Sequence, residues 1–299
     1  MRLNTRVWGS GPQTAVLVHG MMSDSTAWSQ VGPHLARRGY RVYAVDLPGH
    51  GLSPRDPNAT MDSVADALLE SVPHQPDLLI AHSMGSYICA QAADRLRPAA
   101  AIYLDTPVGA SHRVDRDVLI GHFSQAQAKR TLENLTRKHL DWDRRDHLSE
   151  ANAARTFDPA TTASVLASAA GHDYTPHVTI PTMMIHAEPS RYLSPEHLRR
   201  LTSLGWTVRS IPKADHLLWY GHLHEFLTLV DEFTPHPRWT KRLIPTLRAT
   251  ASAVDLDERD ELLPKGGAVR SGDEDEASDG DPRLCSPCEP RVPRRDAGT

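Results

Sequence analysis

Cysteine is scarce in this chain, with three in 299 residues: Cys89, Cys285 and Cys288. That is too few for a disulfide framework in a chain this long, so a reducing, cytoplasmic setting is expected. The Cys285–Cys288 pair stands alone, without the second ligand pair that a structural zinc site needs. No apolar run approaches the ~20 residues of a membrane span. The opening residues, MRLNTRVWGSGPQ, lack the basic-then-apolar pattern of a secretory signal. Positive charge is not in excess either. Lys and Arg number 33 against 37 Asp and Glu, a net −4 that gives no reason to expect nucleic acid or an anionic membrane as partner. A glycine-rich phosphate loop and a cluster of metal ligands are also missing, so neither a cofactor nor a metal is implied. The seventeen histidines are scattered, and His222 and His224, two apart on a helix, point different ways.

What is present is alternation. TAVLVHG (14–20), RVYAVDL (41–47), DLLIAHS (77–83), AAIYLD (100–105), TMMIHA (182–187) and TVRSIP (207–212) read as buried strands. Runs this apolar suit parallel strands covered on both faces. Between them lie helical patterns. In MDSVADALLESV, Met61, Val64, Ala65, Leu68, Leu69 and Val72 form one apolar face, and HLHEFLTLVDEF does the same through Phe226, Leu229, Val230 and Phe233. The expected architecture is α/β, a mostly parallel central sheet with helices on both faces.

Two regions break the alternation. Residues 109–176 hold polar helical stretches and no convincing strand, which reads as a helical cap inserted into a core made of 1–108 and 177–235. Residues 236–299 are rich in charge, proline and glycine, and read as a disordered tail, with a last helix or a loosely docked segment over 236–250.

Ser83 sits in AHSMG, between a strand and the start of a helical pattern. Alone, such a serine could cap the helix. A sharp strand-to-helix turn flanked by small residues is also what a nucleophile elbow requires, in the usual form G-x-S-x-G. Here Ala81 takes the first glycine's place and Gly85 keeps the second.

VLVHGMMSDSTAW, AVDLPGHGLS and AHSMG, in that order and spacing, resemble the α/β-hydrolase family over about residues 6–234. The resemblance implies an oxyanion hole from the backbone N–H groups of Met21 and Met84. It also implies a general base at His216, in KADHLLWYGHLHEF. His19 and the DLPGHG turn are expected to shape loops. The family's usual aspartate, a few residues past the strand 182–187, is absent: HAEPSRYL has Ser190 there. Some branches take the acid from the end of the strand before the cap, which makes Asp105 the expected acid and Glu188 the alternative. Asp215 is too close in sequence to His216 for an easy side-chain contact.

A serine at the elbow favours acyl transfer through a covalent ester. Met21, Met22, Met84 and Trp219 are expected around it as a soft apolar wall, with Met22 and Trp219 lining the substrate pocket. The expected function is hydrolysis of a carboxylic ester, thioester or lactone of an apolar small molecule, with a carrier protein as a candidate partner. The alternative is a catalytically decayed member that binds a small apolar ligand, since loss of the usual aspartate is what decay would leave. A cofactor-free lyase or perhydrolase on the same scaffold is a third reading.

Overall fold

The computed structural model describes residues 1–108, 115–176 and 179–234. The expected tail 236–299 lies outside the described residues, as do 109–114 at the start of the expected cap.

Seven strands form one sheet: β1 (Thr5–Trp8), β2 (Gln13–Val18), β3 (Tyr40–Val45), β4 (Leu78–His82), β5 (Ala101–Leu104), β6 (Thr182–Glu188) and β7 (Thr207–Pro212). Their order is β1-β3-β2-β4-β5-β6-β7. Only β1 runs antiparallel, pairing Thr5 with Val45 through Trp8 with Val42. β1 is not among the strands expected from sequence, because it is short and two of its four residues face outward, leaving no apolar run to mark it. TVRSIP, read as buried, is an edge strand in which Ile211 alone is buried.

The central strands bury both faces. Val16, Val18, Leu79, Ala81 and Tyr103 enter one core cluster. Their sequence neighbours Ala15, Leu17, Leu78, Ile80, Ile102 and Leu104 enter the other, as the two-residue period of a strand requires. Helix α2 (Met61–Ser71) and helix α3 (Met84–Leu96) cover the first face through Val64, Leu68, Ile88 and Ala92. Thr60 caps α2 in a reciprocal box with Ser63. A 3₁₀ turn (Ser25–Trp28), α1 (Val31–Arg37) and α9 (Leu223–Phe233) cover the second through Trp28, Leu35, Phe226 and Val230. Helix α8 (Pro195–Ser203) adds Leu201 to the first.

Four helices lie between β5 and β6: α4 (Arg116–Lys129), α5 (Leu132–Lys138), α6 (Arg144–Thr156) and α7 (Pro159–Ser168). Three start on sequence-legible caps. Asp115 accepts from the Asp117 and Val118 N–H groups, Thr131 from Asn134, and Asp158 from Thr161 with Pro159 opening the helix.

Strand order reverses at β2, whose neighbours β3 and β4 lead away on opposite sides. In open parallel sheets the crevice at the carboxyl ends of the strands flanking such a reversal is where ligands bind. Ser83 follows the end of β4, beside the end of β2.

Candidate active site

β4 is buried along its whole length, and α3 begins two residues after it ends. Ser83 therefore makes the entire turn, at φ 51° and ψ −124°. That is a left-handed region which side chains with a Cβ avoid, at a strain of about 1–3 kcal/mol. Close packing holds it there. A Cβ on Gly85 would lie 2.5 Å from the His19 carbonyl oxygen and 2.9 Å from that of Val18, so only glycine lets α3 seat against the end of β2. A Cβ on Gly20 would lie 2.7 Å from the Cβ of Ser83, which brings the loop after β2 directly against the elbow. Ala81, where the motif usually has glycine, is fully buried among apolar residues, and its methyl group is accommodated there.

The β2 loop is shaped by His19. Leu47 N–H donates to its Nε2 at 2.9 Å, so Nδ1 carries the proton and donates to the Gly20 carbonyl at 2.7 Å. Met21 follows Gly20. Met84 is the first residue of α3, where a backbone N–H has no partner within the helix. Of the two residues expected to supply an oxyanion hole, Met84 follows Ser83 directly in the chain, and Met21 follows Gly20, which packs against Ser83 from the β2 loop.

His216 lies in the loop after β7 and is packed against the residue before the nucleophile candidate. Its ring centroid is 4.5 Å from that of His82, and Tyr192 covers it at 4.2 Å. Its Nδ1 donates to Asp105 Oδ2 at 2.8 Å. Asp105 is 1% exposed and sits just past β5 at φ 45°. Its other oxygen, Oδ1, accepts from Ala187 N–H at 3.2 Å and from the Ser190 hydroxyl at 2.8 Å. Asp105 and His216, 111 residues apart, are brought together. Glu188 is directed elsewhere: it closes β6 and takes the Ser210 hydroxyl at 2.7 Å. Asp215 faces the inserted helices. His139 Nδ1 meets its Oδ2 at 2.9 Å, and this contact holds the Asp215 carboxyl well below the usual range.

Apolar side chains meet at one edge of this arrangement. Met22, Leu119, Phe123, Phe157 and Ala163 form a buried cluster with Met21 against it, joining the β2 loop to α4 and α7. Trp219, expected to line a pocket, is instead core. It is fully buried, stacked on Trp28 at 4.4 Å, and donates Nε1–H to the Ala27 carbonyl at 2.9 Å. The chain turns after His216 and places this ring in the second core cluster, where it meets His82 edge-on at 5.2 Å.

Sequence reading missed a buried anchor. Glu150 of α6 is fully buried and accepts from the Ser23 hydroxyl and the Tyr220 hydroxyl, each at 3.0 Å, and from Arg130. It ties the inserted helices to the loop bearing Met21 and Met22 and to the loop bearing His216. A glutamate on the buried face of an otherwise polar helix was the one available signal. Among the described residues, no group of three or more His, Cys, Asp or Glu side chains could hold a metal ion. No described helix is long and apolar enough to cross a membrane.

A sequence profile described as the alpha/beta hydrolase family matches residues 15–229. Pimeloyl-[acyl-carrier protein] methyl ester esterase of Methylococcus capsulatus is 40% identical over 92 residues, 31% of this chain and 35% of that protein. The protein of the same name from Chromobacterium violaceum is 34% identical over 137 residues, 44% of this chain and 49% of that protein. The chain thus spans about a third to a half of the length of these relatives. Among solved structures, a thermophilic esterase from Thermogutta terrifontis superposes with a TM-score of 0.60 at 22% identity, covering 77% of this chain and 92% of that one. The thioesterase domain from the curacin biosynthetic pathway superposes with a TM-score of 0.59 at 19% identity, covering 76% and 94%. These two likenesses speak to the fold.

Proposed function

The chain belongs to the alpha/beta hydrolase family, and from that premise we propose that it is a serine hydrolase acting on an ester bond, with Ser83 as nucleophile, His216 as base and Asp105 as acid. The observation that carries the reading is the 2.8 Å contact between His216 Nδ1 and Asp105 Oδ2. An ionised carboxylate only accepts, so this bond fixes the proton on Nδ1 and leaves the Nε2 lone pair to take the serine proton.

In the proposed reaction Ser83 Oγ attacks the substrate carbonyl while His216 Nε2 removes its proton. The oxyanion is held by the N–H groups of Met21 and Met84, the second reinforced by the N-terminus of α3. Collapse expels the alcohol or thiol, which leaves with the proton from Nε2. Water then repeats the sequence on the acyl-enzyme and frees Ser83. Asp105 stays ionised and stabilises the imidazolium in both halves.

The cluster of Met22, Leu119, Phe123 and Phe157 supports an apolar acyl group or lactone as substrate. Helices α4 to α7 serve as the cap that encloses it, and the cytoplasm suits the buried, unpaired thiol of Cys89. Since the two relatives are named for a methyl ester on an acyl carrier protein, an acyl chain delivered on such a carrier is one form the substrate takes in this proposal. The decayed-binder reading loses its motive when the carboxylate is relocated and not absent.

The test is hydrolysis of p-nitrophenyl butyrate, with mass spectrometry of a fluorophosphonate adduct. Ser83→Ala is expected to abolish both turnover and adduct while remaining folded, and Glu188→Gln to leave turnover intact. Turnover retained in Ser83→Ala removes the mechanism.

A further inference from the structure

Ser190 occupies the position where the family usually carries its acid, and its hydrogen bonding is complete. Its hydroxyl oxygen accepts from the backbone N–H groups of Tyr192 and Leu193, each at 3.0 Å. A hydroxyl has two acceptor lone pairs and one proton. With both lone pairs engaged by donors, the proton has one direction left, and Asp105 Oδ1 lies along it at 2.8 Å. Ala187 N–H reaches the same oxygen at 3.2 Å. The carboxylate is thereby gripped through Oδ1, with Oδ2 presented to His216 Nδ1.

We propose that Ser190 is a positioning residue for the relocated acid: its hydroxyl, aimed by two backbone donors, fixes the rotation of the Asp105 carboxylate and so the orientation of the His216 ring. The proposal rests on the roles given above to Ser83, His216 and Asp105. Asp105 needs such a hold. It sits at a left-handed φ of 45° past the end of a four-residue strand, and a carboxylate turned about its own axis would aim at His216 along a poorer line. A serine here also does what an aspartate in this place could not do while Asp105 is present. Two carboxylates at 2.8 Å would repel, and one of them would protonate. The competing account is that Ser190 merely closes its own turn through the Tyr192 and Leu193 N–H groups, as serines in loops do.

A double-mutant cycle separates the two. The readout is the second-order rate of fluorophosphonate labelling in the full-length protein, with Ser83→Ala as the blank. Ser190→Ala is expected to slow labelling by about 10- to 100-fold, the range seen when a reacting group is misplaced by up to an ångström. Ser190→Thr, which keeps the hydroxyl, is expected to retain most of the rate. In the Asp105→Asn background, Ser190→Ala is expected to add nothing, because its only route to the reaction has gone. A Ser190→Ala protein that labels at the wild-type rate overturns the proposal. So does a double variant slower than Asp105→Asn by the same factor that Ser190→Ala shows alone, since that marks an independent structural role. Should Ser190→Ala melt below the assay temperature, Ser190→Cys, with a similar shape and a weaker donor, is read in the same way. Wild-type protein that gives no Ser83-dependent labelling sinks the hydrolase reading itself and this proposal with it. Ser83-dependent labelling that is indifferent to Ser190 sinks the proposal alone.

Discussion

His82 Nε2 donates to the backbone carbonyl of His216 at 3.0 Å, so the residue before the candidate nucleophile holds the main chain of the candidate base. The bond spans 134 residues and fixes the tautomer of His82, since a carbonyl can only accept. His82→Phe removes the donor and leaves that carbonyl unpaired, an expected loss of about 1–3 kcal/mol in urea unfolding. The pH dependence should change with it. Burial first, and then the neighbouring His216 imidazole, pushes the His82 pKa well below its ordinary value. The unfolded chain takes up a proton near pH 6.5 that the folded one refuses, so stability falls as pH drops below that point, by up to about 1.4 kcal/mol per unit. The Phe variant should lack that share, giving a flatter profile between about pH 6.5 and 5. A profile parallel to wild type contradicts the assignment.

Gly85 and Ala81, the two small residues of the elbow, should respond very unequally to substitution. Gly85→Ala forces a methyl group to within 2.5 Å of a backbone oxygen that has no room to yield. A loss of about 3 kcal/mol or more is expected, at the upper end of overpacking, with slower labelling of Ser83. Ala81→Gly restores the usual motif and is expected to lower stability by only about 1 kcal/mol, through backbone entropy. Thermal unfolding of the pair decides this, and a benign Gly85→Ala would mean that the elbow does not rest on the β2 carbonyls.

Asp146 provides a test with the reverse sign. It is 2% exposed, and desolvation raises its pKa to about 6, even though Gln30 donates to Oδ1 at 3.0 Å. Between its unfolded value, about 3.9, and its folded value the native state holds the extra proton, so stability falls as pH rises through this window. Asp146→Asn keeps the acceptor for Gln30 and removes the buried charge. It should stabilise the protein above about pH 6, by about 1–3 kcal/mol, and do little at pH 4. Chemical unfolding at the two pH values checks it; equal effects at both would show that the carboxyl is not protonated in the fold.

Arg130 is the charge partner of the fully buried Glu150. Arg130→Met leaves that carboxylate uncompensated, with an expected loss of about 3–5 kcal/mol. Adding Glu150→Gln should recover most of it, because the Ser23 and Tyr220 hydroxyls still find an acceptor. Additive losses in the double variant would show that the two residues do not act as a pair.

How far the sequence could be read follows from which residues answer to neighbours in the chain. Five of the six expected strands were visible because burial on both faces leaves a nearly unbroken apolar run, and the elbow because its small residues are contiguous; TVRSIP was found as a strand although it is a half-buried edge. β1 was invisible, being an edge of four residues with two facing solvent. Trp219 was misplaced because an aromatic next to a site in sequence says nothing of which side of the sheet its ring enters. Ser190 was taken as a deficit since its partner lies 85 residues away, across the gap between two strands. Asp105 was reached through family resemblance alone. Its own neighbours, a strand end and a turn, would equally describe a cap.

The ends of β5 and β6 stand side by side, and the side chain at 190 meets the carboxylate at 105 on the oxygen turned away from the histidine. Whether a chain of this kind is alive or dead is therefore not a property of any single column of its sequence. A survey that asks only for an acid at position 190 would count this protein among pseudoenzymes, while one that asks for a carboxylate at a point in space would not.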